Sequence, residues 1–358
     1  VAERWRIMRI RISSVILLVL GLTLMPAPGV AEPIMFDSSD WNNSVASVAV
    51  SPSDPARVWV ASEYFTEVQG NVYQSRDYGS SWEPVPPQQF WPIAPFPFRG
   101  AHLCDTGSRL WAAQGDLLRT DDFGQTWDAA LPTPSAGRYR DVVARDGVVY
   151  VLYQGDDGSV TMSMSVDDGL NWSDSGFAGT GSTIRPGIAI SEDGVAIYVE
   201  SDSHVYASVD SGSSWAPVFT TASVLGVEDI ALDPTDSSRV FIATDEGVRV
   251  SPDAGATWSS LWTPVEPIRA VAVSAGGRVF AGGGTYGTDG GEGVVYFSDD
   301  HGASWSYLRP PGSTLARVST LDTDRSGLSL YIGTDWGIDR EWIGDSKRLA
   351  GDDSYLTA

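Results

Sequence analysis

Apolar positions along this chain come in short runs, and within most runs they alternate with polar ones. Residues 45–50, 57–61, 239–243 and 269–273 all read this way. A period of two marks a half-buried strand, and runs this short, punctuated by Pro, Gly and Asp, read as antiparallel strands joined by tight turns. The runs arrive in sets of four. A first strand (45–50, 269–273) is followed after a turn by a second (57–61, 239–243). A third (71–75, 247–251) leads into a turn, and a fourth leaves from a Trp. The turn at 51–55 recurs at 233–237, again with a Pro and an Asp. Seven first strands can be counted, beginning near Val45, Arg99, Arg140, Pro186, Glu228, Arg269 and Arg317.

The turn before each fourth strand carries one motif six times. In the fifth copy it reads Ser251-Pro-Asp253-Ala-Gly255-Ala-Thr257-Trp258. The six Asp are Asp77, Asp122, Asp167, Asp210, Asp253 and Asp300, at intervals of 45, 45, 43, 43 and 47 residues, and the six Trp are Trp82, Trp127, Trp172, Trp215, Trp258 and Trp305. A period in this range, with four short strands in each repeat, predicts a β-propeller blade. Each position has a physical role. The Asp accepts hydrogen bonds from backbone N–H groups a residue or two ahead, Gly permits a positive φ, and the hydroxyl or amide before the Trp bonds across the turn. The Trp presents a large apolar body to the gap between sheets. The fold expected is therefore all-β: a seven-bladed propeller of four-stranded antiparallel blades, six of them with this turn. The seventh blade has no such turn and lacks an outer strand, which residues 33–41 are expected to supply, closing the ring and removing an open edge.

The motif resembles the Asp-box, or BNR repeat, found in sialidases, sortilin, xyloglucanases and the photosystem II assembly-factor propellers. The resemblance covers residues 34–344, and in that family the box is structural. The even spacing and single ring are most similar to the photosystem II assembly-factor propellers and their relatives. This implies a scaffold or chaperone-like binding role without catalysis, with an Arg-rich patch as the functional surface. The alternative is a sialidase-like glycoside hydrolase acting on acidic glycans. Arg, Tyr, Glu and Asp candidates for it exist, but its Phe-Arg-Ile-Pro signature does not: Phe98-Arg99-Gly100 keeps two residues of it, and Ile184-Arg185-Pro186 lacks the intervening Ile.

Charge narrows the partner class. The chain has 46 acidic and 23 basic residues, a net charge of −23, and Lys347 is its one Lys. That balance opposes non-specific binding to nucleic acid or anionic lipid. Cys104 is the only cysteine, so no intrachain disulfide forms, and its apolar strand context reads as a small core residue. No metal or cofactor is called for. Residues 1–31 read as a secretory signal: Arg4, Arg6, Arg9 and Arg11 precede an apolar run at 15–24, then Pro26, Pro28 and Gly29, with a cut after Ala31. The expected domains are thus a signal at 1–31, the propeller at 32–345 and a flexible tail at 346–358. The expected product is an exported monomer, periplasmic or extracellular, with no stable membrane insertion after cleavage.

In a four-stranded blade the boxes share one face, the bottom, with the turns after the first strands. The opposite, top face carries the irregular loops and is the expected location of a protein- or glycan-binding site. Arg99, Arg140, Arg269 and Arg317 stand two residues before the apolar triplet of their first strands, with Arg185 one residue off that register and Glu228 holding the position in the fifth blade. Guanidinium groups there suit planar anions, or else brace the channel by pairing with Asp141, Asp116, Asp202 or Asp335. The Pro-rich loop at 88–99 adds Phe90, Trp91 and Phe96 as contact surface, and a Gly-rich insertion at 281–293 around Tyr286 reads as a mobile flap.

Overall fold

The computed structural model describes residues 44–63, 72–85, 102–132, 135–181, 186–222, 226–262, 264, 266–285, 292–309 and 315–343, all within one compact unit, 31–358. Seven antiparallel sheets follow one another along the chain, each built from consecutive strands. The first strands are Ser44–Val50, His102–Asp105, Gly137–Arg145, Gly187–Ile190, Val227–Asp233, Ile268–Val273 and Val318–Thr323, as the alternation predicts. Six sheets have four strands. The seventh has three among the described residues, ending at Trp342. The expected closing strand at 33–41, the signal at 1–31 and the tail at 346–358 lie outside the described residues.

The core is a ring of seven apolar clusters, one in each gap between consecutive blades. Tyr331 and Ile338 of blade seven pack with Val45, Val48, Val58 and Val60 of blade one, so the last gap is filled like the others. One register position dominates this core. Trp59, Trp111, Tyr150, Tyr198, Phe241, Phe280 and Tyr331 are seven of the eight largest side chains less than 2% exposed, the other being Phe177. Each of the seven occupies the same place in the second strand of its blade, paired across the first strand with Ala49, Cys104, Val143, Ala189, Ala231, Ala272 and Asp322. A small partner on the first strand leaves room for a ring that fills the gap to the following blade. Cys104 is one of these small partners. Burial pushes its thiol pKa up to about 12, which leaves it without nucleophilic character at neutral pH.

The six boxes repeat one set of hydrogen bonds around the Asp and the Ser or Thr two residues before it, and in three of them the Trp Nε1 also donates to the box-glycine carbonyl. In the fourth, Asp210 Oδ1 accepts the N–H of Ser214 at 2.8 Å and Oδ2 accepts the Ser214 hydroxyl at 2.6 Å. The carboxylate thus reaches four residues ahead, where the sequence suggested one or two. Ser211 and Gly212 are both left-handed, with φ of 56° and 83°, and two such residues in succession fold the chain back onto the carboxylate. The hub is a residue to which the sequence reading gave no role. The hydroxyl of Ser208, 1% exposed, accepts the Gly212 N–H at 2.8 Å and donates to Asp210 Oδ1 at 2.8 Å. Ser208→Ala strands that buried N–H and is expected to lower stability by about 1–3 kcal/mol, read as a shift in the urea midpoint. An unchanged midpoint would refute the hub role. The Trp reaches the preceding blade: Trp215 meets Phe177 edge-on at 5.0 Å, and Trp305 stacks on Trp262 at 5.2 Å.

The Gly-rich stretch 281–293 is corrected by the structure. Strand pairing continues to Thr285 opposite Glu292, so only 286–291, with Tyr286, remain outside the described residues. Glycine serves close approach here. A Cβ on Gly283 would lie 1.9 Å from the Pro267 carbonyl oxygen, and one on Gly293 1.9 Å from that of Ala316. The strands bond directly to the links between blades, Gly284 N–H to Pro267 O at 3.1 Å and Gly293 N–H to Leu315 O at 2.8 Å.

Candidate functional site: the central channel

The first strands line the axis, and their top ends are bent by a recurring β-bulge. The register skips one residue at Ala46, Arg140, Glu228, Arg269 and Ser319. A bulge leaves the extra residue unpaired and re-aims its side chain, so Arg140, Glu228 and Arg269 form a true series. Arg317 does not belong to it: Ser319 holds the bulge in blade seven, two residues further on. Spacing from the apolar triplet could not show this, because a bulge shifts the count.

These charges have partners inside the ring. Arg269 pairs with Glu228 of the preceding blade at 3.1 Å, Arg317 grips Asp335 through two 2.8 Å bonds, and Arg140 Nε donates to Gln154 Oε1 at 2.7 Å. Burial raises the Glu228 pKa, with Arg269 opposing it. Arg99, Arg185, Phe90, Trp91, Phe96 and Tyr286 lie outside the described residues.

One residue below the bulge lies a second layer: Ser47, His102, Asp141, Gly187, Asp229, Ala270 and Thr320. Its polar side chains cross to the next blade. Ser47 Oγ accepts the Leu103 N–H at 3.1 Å, Asp141 Oδ2 that of Ile188 at 2.9 Å, and Asp229 Oδ2 that of Val271 at 2.9 Å. Asp322, two residues lower in blade seven, accepts the Val50 N–H at 3.0 Å and so spans the joint that closes the ring. The inner edge of each blade has no fifth strand, and these side chains satisfy N–H groups that a sheet neighbour would otherwise take. Sequence alternation alone marks them as polar positions without showing that function.

Burial gives this layer unusual protonation. Desolvation pushes Asp229 and Asp322 up to about 7, against the backbone N–H bonds that favour their charged forms. Burial works against the charged His102 imidazole, but the Asp141 carboxylate 3.1 Å from its Nδ1 more than offsets this, and its pKa lies above the ordinary value. Glu200 is set apart. It sits opposite Gly187 in the second strand of blade four, and a Cβ on Gly187 would lie 2.5 Å from its Oε1. It is 5% exposed, and its Oε2 is buried with no hydrogen-bond partner. Burial, then the charges of Asp229, Asp141 and Glu228, hold its pKa well above the usual carboxylate range.

On the box face the channel opens into a hollow of about 540 Å³ to which all seven blades contribute. Val50, Ala144, Ile190, Leu232 and Val273 form an aliphatic ring around it, each half-buried. Its polar lining has five acids (Asp105, Asp146, Glu192, Asp322, Asp324) against Arg145 and Arg325, and Arg145 pairs with Glu192. No group of three or more His, Cys, Asp or Glu among the described residues is arranged to hold a metal ion.

A tyrosine–glutamate pair does occur, Tyr296 to Glu266 at 2.7 Å, but Tyr296 is 4% exposed and lies on the third strand of blade six against Trp262 and Tyr307. That is two strand spacings, about 10 Å, from the first strand of its own blade, which carries Arg269.

No family model and no curated protein matches this chain in sequence. Solved structures do match it in fold. "YCF48 bound to D1 peptide" is 18% identical with a TM-score of 0.60, covering 88% of this chain and 97% of that one. YCF48 from Cyanidioschyzon merolae is 16% identical with a TM-score of 0.60, covering 84% and 95%. The GH74 xyloglucanase from Xanthomonas campestris is 17% identical with a TM-score of 0.63; 83% of this chain corresponds to 51% of that enzyme. The protein shares the β-propeller architecture of both binding propellers and glycoside hydrolases.

Proposed function

We propose that this protein is an exported, non-catalytic β-propeller that binds a protein or glycan partner on its top face. The observation that carries the reading is that the described channel guanidinium groups are engaged by side chains of the ring itself. Arg140, Arg269 and Arg317 each bond a partner within the ring, and the Tyr296–Glu266 pair lies in the outer half of its blade. A sialidase-like mechanism needs three guanidinium groups converging on one carboxylate beside a tyrosine nucleophile, and the described residues do not assemble that arrangement. The similarity in fold to a propeller bound to a peptide favours a protein ligand over a glycan.

The test compares turnover with binding on one sample. Sialosides and xyloglucan are incubated with the protein, and immobilised peptide and glycan arrays are probed with it. The expected outcome is no hydrolysis, together with binding to array members that is lost in a Trp91→Ala, Phe96→Ala double variant with an unchanged melting temperature. Hydrolysis of a sialoside that Arg99→Ala abolishes would replace the scaffold reading with the hydrolase.

A further inference from the structure

The six boxes serve as controls for one another. Each exposes two positions to solvent, the residue after the Ser or Thr and the residue after the Gly. In four copies the first of these is Arg76, Asp121, Pro252 or Asp299, and in five the second is Ser80, Gln125, Ser213, Ala256 or Ala303. Box three instead places Val166 and Leu170 there, 70% and 71% exposed, and box four places Val209, 60% exposed. The turn does not require them, since each Asp carboxylate holds the same backbone N–H in every copy. Single exposed aliphatic groups are ordinary on a protein surface, whereas a contiguous set of them marks an interaction site.

Hydrogen bonds and an ion pair join these side chains into one surface. In blade four the Ser211 N–H of the box donates at 3.0 Å to the carbonyl of Val195, itself 42% exposed in the turn after the first strand. In blade three the Asp168 N–H of the box donates to Gly147 O of the corresponding turn at 2.8 Å. Arg145, at the start of that turn, pairs with Glu192 of the blade-four turn. Box four also leans over blade three, where the Tyr150 hydroxyl donates to Ser211 O at 3.4 Å. Val166, Leu170, Val195 and Val209 therefore share one sector of the box face, which on its inner side meets the aliphatic ring of the hollow at Ala144 and Ile190.

Charge selects the occupant. Asp146 and Asp193, exposed in the two turns, form no ion pair among the described residues. A second copy of this chain meeting the sector about a two-fold axis would set the same acids against each other, and a net charge of −23 opposes an anionic membrane. We propose that the box face of blades three and four docks a cationic amphipathic segment of a partner protein, its aliphatic side on Val166, Leu170, Val195 and Val209 and its basic side facing Asp146 and Asp193. This surface lies on the face opposite the top-face site and stands or falls separately from it.

The probe is a helical peptide of Leu and Lys alone, about fourteen residues long, with its Leu spaced along one helix face; a second peptide carries Glu in place of every Lys. Both are titrated into the full chain by calorimetry. The expected result is one site for the Lys peptide, with a negative heat-capacity change from apolar burial, and no binding of the Glu peptide. The triple variant Val166→Ser, Leu170→Ser, Val209→Ser is expected to melt with the wild type, because all three side chains are exposed, and to bind the Lys peptide roughly tenfold or more weakly. The apolar triple variant Val166→Ile, Leu170→Met, Val209→Ile is expected to keep wild-type affinity. A Lys peptide that binds the polar variant as well as the wild type, or binds neither, overturns the proposal, as does equal binding of the two peptides. A dimer in sedimentation that the polar variant abolishes would assign the sector to a second copy, and attachment to phosphatidylcholine vesicles lost in that variant would assign it to a membrane; either result overturns the proposal too.

Discussion

Trp111→Ala is expected to be among the most destabilising single substitutions in this protein, costing about 3–5 kcal/mol in urea unfolding. Trp111 is 0% exposed and fills the gap between blades two and three, where it meets the box residue Trp172 edge-on at 6.3 Å. Nothing nearby can collapse into the space, because both sheets are fixed by their own ladders. The box glycine of blade three abuts the same ring: a Cβ on Gly169 would lie 2.3 Å from it, at a backbone φ of +79°. Gly169→Ala is therefore expected to cost roughly 1–3 kcal/mol from overpacking, with the strain of a left-handed alanine added. A double-mutant cycle separates the two parts. In the Trp111→Ala background the clash disappears and only the backbone strain remains, so the pair should be sub-additive by 1 kcal/mol or more, on the order expected for residues in contact. Additive costs would mean that Trp111 and Gly169 do not share the gap as described.

Stability is expected to peak at mildly acidic pH and to fall toward pH 8. The signs follow from which state holds the proton. Asp229 and Asp322, raised by burial to about 7, stay protonated in the native state between about pH 4 and 7, where the unfolded chain has already released those protons. Native protein thus binds more protons in that window, and stability falls as pH rises through it. Glu200 acts in the same direction. His102, raised chiefly by Asp141 against its burial, contributes stability that is complete below its unfolded value and lost as pH rises through the folded one. The box carboxylates act oppositely. Asp167 and Asp300 are held at about 2 by the side chain and backbone N–H of the residue four ahead, so their contribution is present above about pH 4 and lost as pH falls toward 2. At about 1.4 kcal/mol per pKa unit, the two buried aspartates alone amount to several kcal/mol between pH 5 and 8. Melting temperatures across that range should fall, and Asp322→Asn, whose amide oxygen still accepts the Val50 N–H, should flatten the alkaline side. A melting temperature that rises from pH 5 to 8 would contradict the assignment.

Six copies of a local motif, each closed within six residues by its own hydroxyl, carboxylate and two left-handed positions, are fully encoded in sequence. So is the alternation that makes each strand. Blade number, strand order and the face on which the boxes lie follow from these alone. The seven buried aromatics were not legible, although each is a plain Trp, Tyr or Phe. The distance from the aromatic to the following box hydroxyl runs from 9 residues (Trp111 to Thr120) to 18 (Phe280 to Ser298), because the loop between second and third strands varies in length and erases the period.

The Arg series was misread for a related reason. Counting back from the apolar triplet groups Arg317 with Arg140 and Arg269, whereas the bulge places Ser319 in their position. Only the folded register shows which residue a bulge expels. The inter-blade bonds of Ser47, Asp141, Asp229 and Asp322, and the orphaned Glu200 above Gly187, lie further still from sequence. They join residues about 40 to 270 positions apart, and an isolated acid in a strand reads as a solvated position. What the sequence determined about this protein is what each segment does with its immediate neighbours. What the tertiary structure decided is which polar groups closure of the ring takes out of water, since desolvation depends on every blade that faces the axis and on no single stretch of the chain.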